Sequence, residues 1–224
     1  MLRLAWTIAV KDLRAELRTK EAVNASLSFS LAILLLFSFA FDPSAEQIRE
    51  IAGGLLWIVF AFAGALVLNR SFARELVNDC LDVLLASPAS GAALLAGKLI
   101  ANFLLLLAVE IVCLPVFGVF YNVNWTPQWP ALLGVLALGT WALAVIGTMF
   151  SALTVNLRLR ELMLPVLIYP MMLPALMAAI QLTTELVNGQ AVAADSLIWV
   201  RVLVAFDVIY TALALVFVDT VLLG

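Results

Sequence analysis

The chain has no histidine. That excludes zinc-dependent chemistry and histidine-based general acid–base catalysis, and it removes any histidine axial ligand that this chain could offer a haem. Cysteine is nearly absent too. Cys80 falls in a charged connection and Cys113 inside an apolar run. The two should sit at different depths, so a disulfide between them is not expected. Charged residues make up only 12% of the chain, whereas soluble domains are about a quarter charged. No Lys/Arg cluster interleaved with aromatics is present, so nucleic acid is not an expected partner. A phosphate-binding loop is missing as well. Gly91 and Gly97-Lys98-Leu99 resemble one at first sight, but the glycines are separated by one residue too many, and Leu99 stands where Ser or Thr must reach magnesium. The chain is not expected to hydrolyse ATP. Lys98 reads instead as an interfacial anchor.

What is abundant is apolar residue, 65% of 224. Six runs are long enough to cross a bilayer, at about 23–41, 51–68, 99–120, 131–153, 162–183 and 197–222. The expected fold is therefore all-α and polytopic, a single transmembrane domain. Residues 1–22 form an interfacial helix ahead of the first span. Its apolar stripe is Leu2, Trp6, Val10 with Ala9, Leu13 and Leu17, with Lys11, Arg14 and Arg18 off it. Ser38-Phe39-Ala40 mimics a cleavage site, but the preceding apolar run is too long for a signal peptide and the leader is acidic as well as basic. Ten of the twelve Lys and Arg residues fall in the leader, in 69–98 and in 154–161, and only Arg49 and Arg201 fall on the other side. Both termini are therefore expected in the cytoplasm.

The connection spanning 70–98 is the most informative. Val77, Leu81, Leu84 and Leu85 recur at helical spacing, while Glu75, Asn78, Asp79 and Asp82 take the opposite face. Ser87-Pro88 ends the helix. A cytosolic amphipathic helix with an acidic face suits a soluble partner, although the periodicity alone fits a surface-lying linker equally well.

Inside the spans, Glu110 lies mid-membrane, where an acid costs about 2.5–3.5 kcal/mol. Asp207 reaches a similar depth from the other side at about 1.5 Å per residue. Two acids at one depth imply a polar path, a shared proton or a helix–helix hydrogen bond. Asn102, eight residues before Glu110, shares its face. The fifth span carries Pro165, Pro170 and Pro174 around Tyr169, Met171, Met172 and Met177, which fits either a kinked packing helix or a flexible wall with soft side chains. In the fourth span, Gly147 and Ser151 at i, i+4 suit close helix contact.

The order of these features resembles a known family. It runs from the basic leader through Asn69-Arg70-Ser71-Phe72-Ala73-Arg74-Glu75, Leu84-Leu85-Ala86-Ser87-Pro88 and Gly139-Thr140 to Ala152-Leu153-Thr154-Val155. It then continues through Leu164-Pro165-Val166-Leu167 to Pro170-Met171-Met172-Leu173-Pro174. The chain is similar across its length to the CcmB family, the haem-exporter B subunit of bacterial cytochrome c maturation. The resemblance implies an ABC-2-type permease subunit in the bacterial inner membrane, two copies per complex, that does no chemistry itself. It implies a separate cytosolic ATPase carrying ATP and magnesium, a haem-handling membrane subunit, a small single-span subunit and a periplasmic haem chaperone. ATP hydrolysis would then drive haem handling or release of the loaded chaperone. By the same resemblance the ATPase-coupling residues are Arg74, Glu75, Asn78, Asp79, Leu81, Asp82, Leu84, Leu85 and Pro88. No haem ligand carries over to this chain, although haem is expected in the complex. Other readings of the same residues are an exporter of another hydrophobic substrate, a proton-coupled carrier using Glu110 and Asp207, and an assembly scaffold.

Overall fold

A computed structural model describes residues 2–41, 46–75, 90–123, 125–154, 157 and 159–223. Among the described residues the α-helices number seven, and no strand occurs. They are α1 (Leu2–Thr19), α2 (Glu21–Ala40), α3 (Glu46–Ser71), α4 (Gly91–Phe120), α5 (Trp129–Thr154), α6 (Arg160–Val187) and α7 (Leu197–Leu223). The last six are long and apolar enough to span a membrane.

The centre of the bundle is formed by α3 and α5, whose membrane-length segments are mostly buried, whereas α2 and α7 lie at the edges. α3 packs on α2, α4, α5 and α6, and α5 also meets α4, α6 and α7. Small residues allow these central helices to approach closely. Gly147 faces Leu68 of α3, and Ser151 Oγ donates to the Leu68 carbonyl at 2.8 Å, so the i, i+4 pair does meet a neighbouring helix. Gly139 leaves the space that the Trp57 ring occupies. Trp57 Nε1 then donates to Thr183 Oγ1 of α6 at 2.9 Å, tying three helices at one level.

The helix ends are built locally. α4 starts at Gly91, eight residues ahead of the third apolar run, because Ser90 caps it by accepting from the Ala93 amide at 3.3 Å. α1 and α2 are separated only by Lys20, in the left-handed region at φ 55°. This single residue turns the chain from the first helix into the first span. In α6 the three prolines Pro165, Pro170 and Pro174 lie inside a helix that continues through them. Each removes an amide donor, which a span tolerates when neighbours pack against it. Tyr169 packs edge-on against Phe62 of α3 at 5.6 Å, Met172 is buried, and Met171 and Met177 face outward.

α1 uses two faces. Leu2, Trp6 and Leu17 of the predicted stripe remain exposed, and the face packed on α4 is Ala5, Ile8 and Ala9. The reason is steric. A Cβ at Gly97 would come within 2.7 Å of both the Ala5 carbonyl and Ile8 Cβ, so only small residues let the two helices touch. The larger stripe is left for the bilayer.

A buried charge ring as candidate functional site

The end of α3 at Ser71, the start of α4 and the whole of α1 lie at one end of the bundle. The end of α7 joins them there through Val218, which packs with Phe72 and Leu95. This end holds the main polar cluster, and its centre is Lys98. The side chain expected to anchor at the interface is fully buried. Its Nζ donates to Ser71 O at 2.9 Å, Glu75 Oε1 at 3.0 Å and Asp12 Oδ2 at 3.1 Å, and it sits 4.8 Å from the centre of the Phe72 ring. Burial follows from geometry. Gly97 draws α1 onto α4, and the next residue, Lys98, is enclosed between them. An amine taken out of water needs compensating partners, and the carboxylates of α1 and of the chain beyond α3 provide them.

Lys11 closes the ring. Its Nζ donates to Glu75 Oε1 at 2.6 Å and pairs with Asp12 Oδ1 at 3.1 Å. Four charges therefore alternate in a circuit, Lys11, Glu75, Lys98 and Asp12, and their formal sum is zero. Glu75 departs from expectation in the same way as Lys98. It was expected on a cytosol-facing acidic surface. It lies instead in a 3-10 turn, Ala73–Glu75, and is 7% exposed. The pull of two lysines outweighs the preference for water. Burial raises the carboxyl pKa, but Lys98 and Lys11 together hold it below the usual carboxylate range. Burial likewise works against charge on Lys11, yet its bonds to Glu75 and Asp12 raise it above the ordinary lysine value. Arg74 belongs to the same 3-10 turn. Asn78, Asp79, Leu81, Asp82, Leu84, Leu85 and Pro88, with Cys80, lie outside the described residues.

Next to the ring is a cavity of about 220 Å³ between α1 and the bundle, lined by Lys11, Asp12, Glu16, Arg70, Ser71 and Asn102 among others. Arg70 at its edge pairs with Glu21 at the start of α2. Asn102 donates from Nδ2 to Ser71 Oγ and to Thr148 Oγ1, both at 2.9 Å. It thus belongs with the ring and not with Glu110, because eight residues of helix separate them by about 12 Å.

Glu110 and Asp207 are both buried, but no hydrogen bond joins them. Thr140 Oγ1 of α5 donates to Glu110 Oε2 at 2.5 Å. Neither carboxylate oxygen of Asp207 has a partner among the described residues. Glu110 makes a helix–helix bond to the Thr140 hydroxyl of α5, one of the expected arrangements, and the two acids share no bond.

Lys11, Asp12, Lys98 and Ser71 were not foreseen as site residues. One signal was available, since Asp12 directly follows Lys11 in a leader that is acidic as well as basic. What could not be read was that Gly97 would bring the leader against Lys98.

Six membrane-length helices, and an amphipathic helix locked by charge to the end where both termini lie, define a multi-pass, all-α membrane protein of permease architecture. Sequence comparison narrows this class. The family model described as CcmB protein matches residues 3–221, and the chain belongs to that family. It is 32% identical over 182 residues to "Heme exporter protein B" of Rhodobacter capsulatus, covering 81% of this chain and 83% of the relative. It is 30% identical over 207 residues to the protein of the same name from Paracoccus denitrificans, covering 92% and 93%. The Bradyrhizobium diazoefficiens protein of that name is 27% identical over 179 residues, covering 80% of each.

Proposed function

We propose that this chain is the membrane-embedded subunit of a haem exporter that serves cytochrome c maturation in the bacterial inner membrane, and that a separate ATPase drives it. The observation that carries the reading is the family match across residues 3–221, supported by full-length relatives named for haem export. The basic residues favour an orientation with both termini in the cytoplasm. The ring and the 76–89 segment then face the ATPase. In this reading Asn78, Asp79, Leu81, Asp82, Leu84, Leu85 and Pro88 form the surface that docks, and Arg74 and Glu75 join it to the bundle. A haem-handling subunit, a single-span subunit, a periplasmic chaperone and a second copy of the chain complete the assembly.

Within the bundle, Glu110 and Asp207 are the acids able to change protonation as the helices rearrange. Pro165, Pro170 and Pro174 with Tyr169 provide the span best suited to bending. Haem is cargo here. The chain offers it no histidine, so iron ligation falls to cysteine, methionine, tyrosine or another subunit.

The test is co-purification with candidate ATP-binding-cassette ATPases, using the intact chain and its Asp79→Lys and Leu81→Asp variants. The intact chain should retain the ATPase, and each variant should lose it or lose ATP-dependent haem handling. A chain that retains no ATPase, or variants that bind and couple normally, would reject the reading.

A further inference from the structure

From the charge ring we infer that Lys98 is a positioning residue, one that makes α1 the first element displaced when Glu75 moves. The inference rests on the proposed function and deepens it. In that reading Glu75 joins the ATPase-facing surface to the bundle, so a load from the ATPase enters the ring at Glu75. Glu75 shares one oxygen, Oε1, between Lys11 of α1 at 2.6 Å and Lys98 of α4 at 3.0 Å. Asp12 of α1 in turn takes Lys98 on one oxygen and Lys11 on the other. A shift of Glu75 therefore acts on α1 through Lys11, while Lys98 keeps its hold on Asp12.

α1 is built to respond. It contacts the bundle chiefly along α4, through the Ala5, Ile8 and Gly97 seat. Among the described residues it joins the first span through the single left-handed residue Lys20. The cavity of about 220 Å³ beside the ring leaves space into which Lys11 and Asp12 can move. Lys98 cannot follow. It is fully enclosed and fixed by the Ser71 carbonyl and the Phe72 ring, so it serves as the fulcrum.

A merely structural ion pair and a transmitting one respond differently to removal of both partners. Breaking one side of a buried pair leaves an uncompensated charge, whereas replacing both sides with neutral groups is often tolerated. The experiment uses the full complex in proteoliposomes, with a fluorophore on a cysteine introduced at exposed Thr7 of α1. The Glu75→Gln/Lys98→Met double variant leaves the Lys11–Asp12 pair in place. It should accumulate normally and retain the ATPase. Its ATP-dependent signal at position 7 should fall at least about fivefold, the low end of an allosteric coupling. Lys98→Arg should keep the signal. A double variant that folds, binds the ATPase and keeps the wild-type signal overturns the inference. So does one that folds but releases the ATPase, because the ring would then serve docking. Failure of the wild-type chain to retain an ATPase would show before any variant is made, and would remove the proposed function and this inference together.

Discussion

Replacing Gly139 with alanine tests how tightly the centre of the bundle is packed. The added methyl would lie 2.1 Å from Trp57 Cη2, 2.6 Å from Cζ2 and 3.0 Å from Cζ3. Carbon atoms in contact sit about 3.5–4.0 Å apart, so the ring must move by more than an ångström. It has little freedom to do so. Trp57 is 1% exposed, its Nε1 is bonded to Thr183 Oγ1, and Phe60 packs edge-on against it at 5.9 Å. Overpacking of this kind costs about 1–3 kcal/mol, and losing the indole hydrogen bond adds about 1 kcal/mol. Gly139→Ala should therefore destabilise the bundle by about 2–4 kcal/mol. Unfolding in mixed micelles, followed by helical circular dichroism as sodium dodecyl sulfate is titrated in, reads this directly. Trp57→Phe removes the ring atoms that clash. It is destabilising alone, but combined with Gly139→Ala it should recover part of the loss, giving a coupling of about 1–3 kcal/mol. Additivity within about 0.5 kcal/mol would refute the steric argument.

Two further outcomes follow from the polar groups. Thr140→Val keeps the shape of the side chain but leaves Glu110 Oε2 without its donor, and should cost about 1–3 kcal/mol in the same titration. Thr140→Ser should restore most of it, and an unchanged valine variant would show that the bond contributes nothing. The ring predicts the dependence of stability on pH. The carboxyl of Glu75 is held below its reference of 4.5, so its contribution is complete above that value and is lost as pH falls through the lower folded value. Lys11 is held above its reference of 10.5, so its contribution is complete below that value and is lost as pH rises through the higher folded one. The ring's contribution to stability should be flat between these limits and fall outside both. Glu75→Gln should remove the acid limb that this carboxyl contributes, and an acid limb identical to wild type would contradict the assignment.

Composition and the length of the apolar runs sufficed for the class of this protein. A bilayer admits backbone only as satisfied helices or closed barrels, so six runs of this length with few charges leave little choice. The order of its motifs sufficed for the family, because the match extends over 3–221 and does not depend on any single residue. The Gly147–Ser151 pair was legible too, since i, i+4 spacing alone puts two small residues on one face.

Which charges belong together was decided only by the tertiary structure. Asp12, Glu75 and Lys98 are far apart in sequence, and each taken alone reads as a surface group. They meet because Gly97, Ala5 and Ala9 let α1 lie directly on α4. Once Lys98 is enclosed there, the free energy of a buried amine demands carboxylates from two other segments. Similarly, helical spacing put Asn102 and Glu110 on one face, but their partners come from α3 and α5, and the packing of those helices chose Ser71 and Thr148 for one and Thr140 for the other. Sequence patterning reports which face of a helix is apolar or polar. Which neighbour that face meets depends on interhelical distance, and in this chain a few glycines and alanines set that distance.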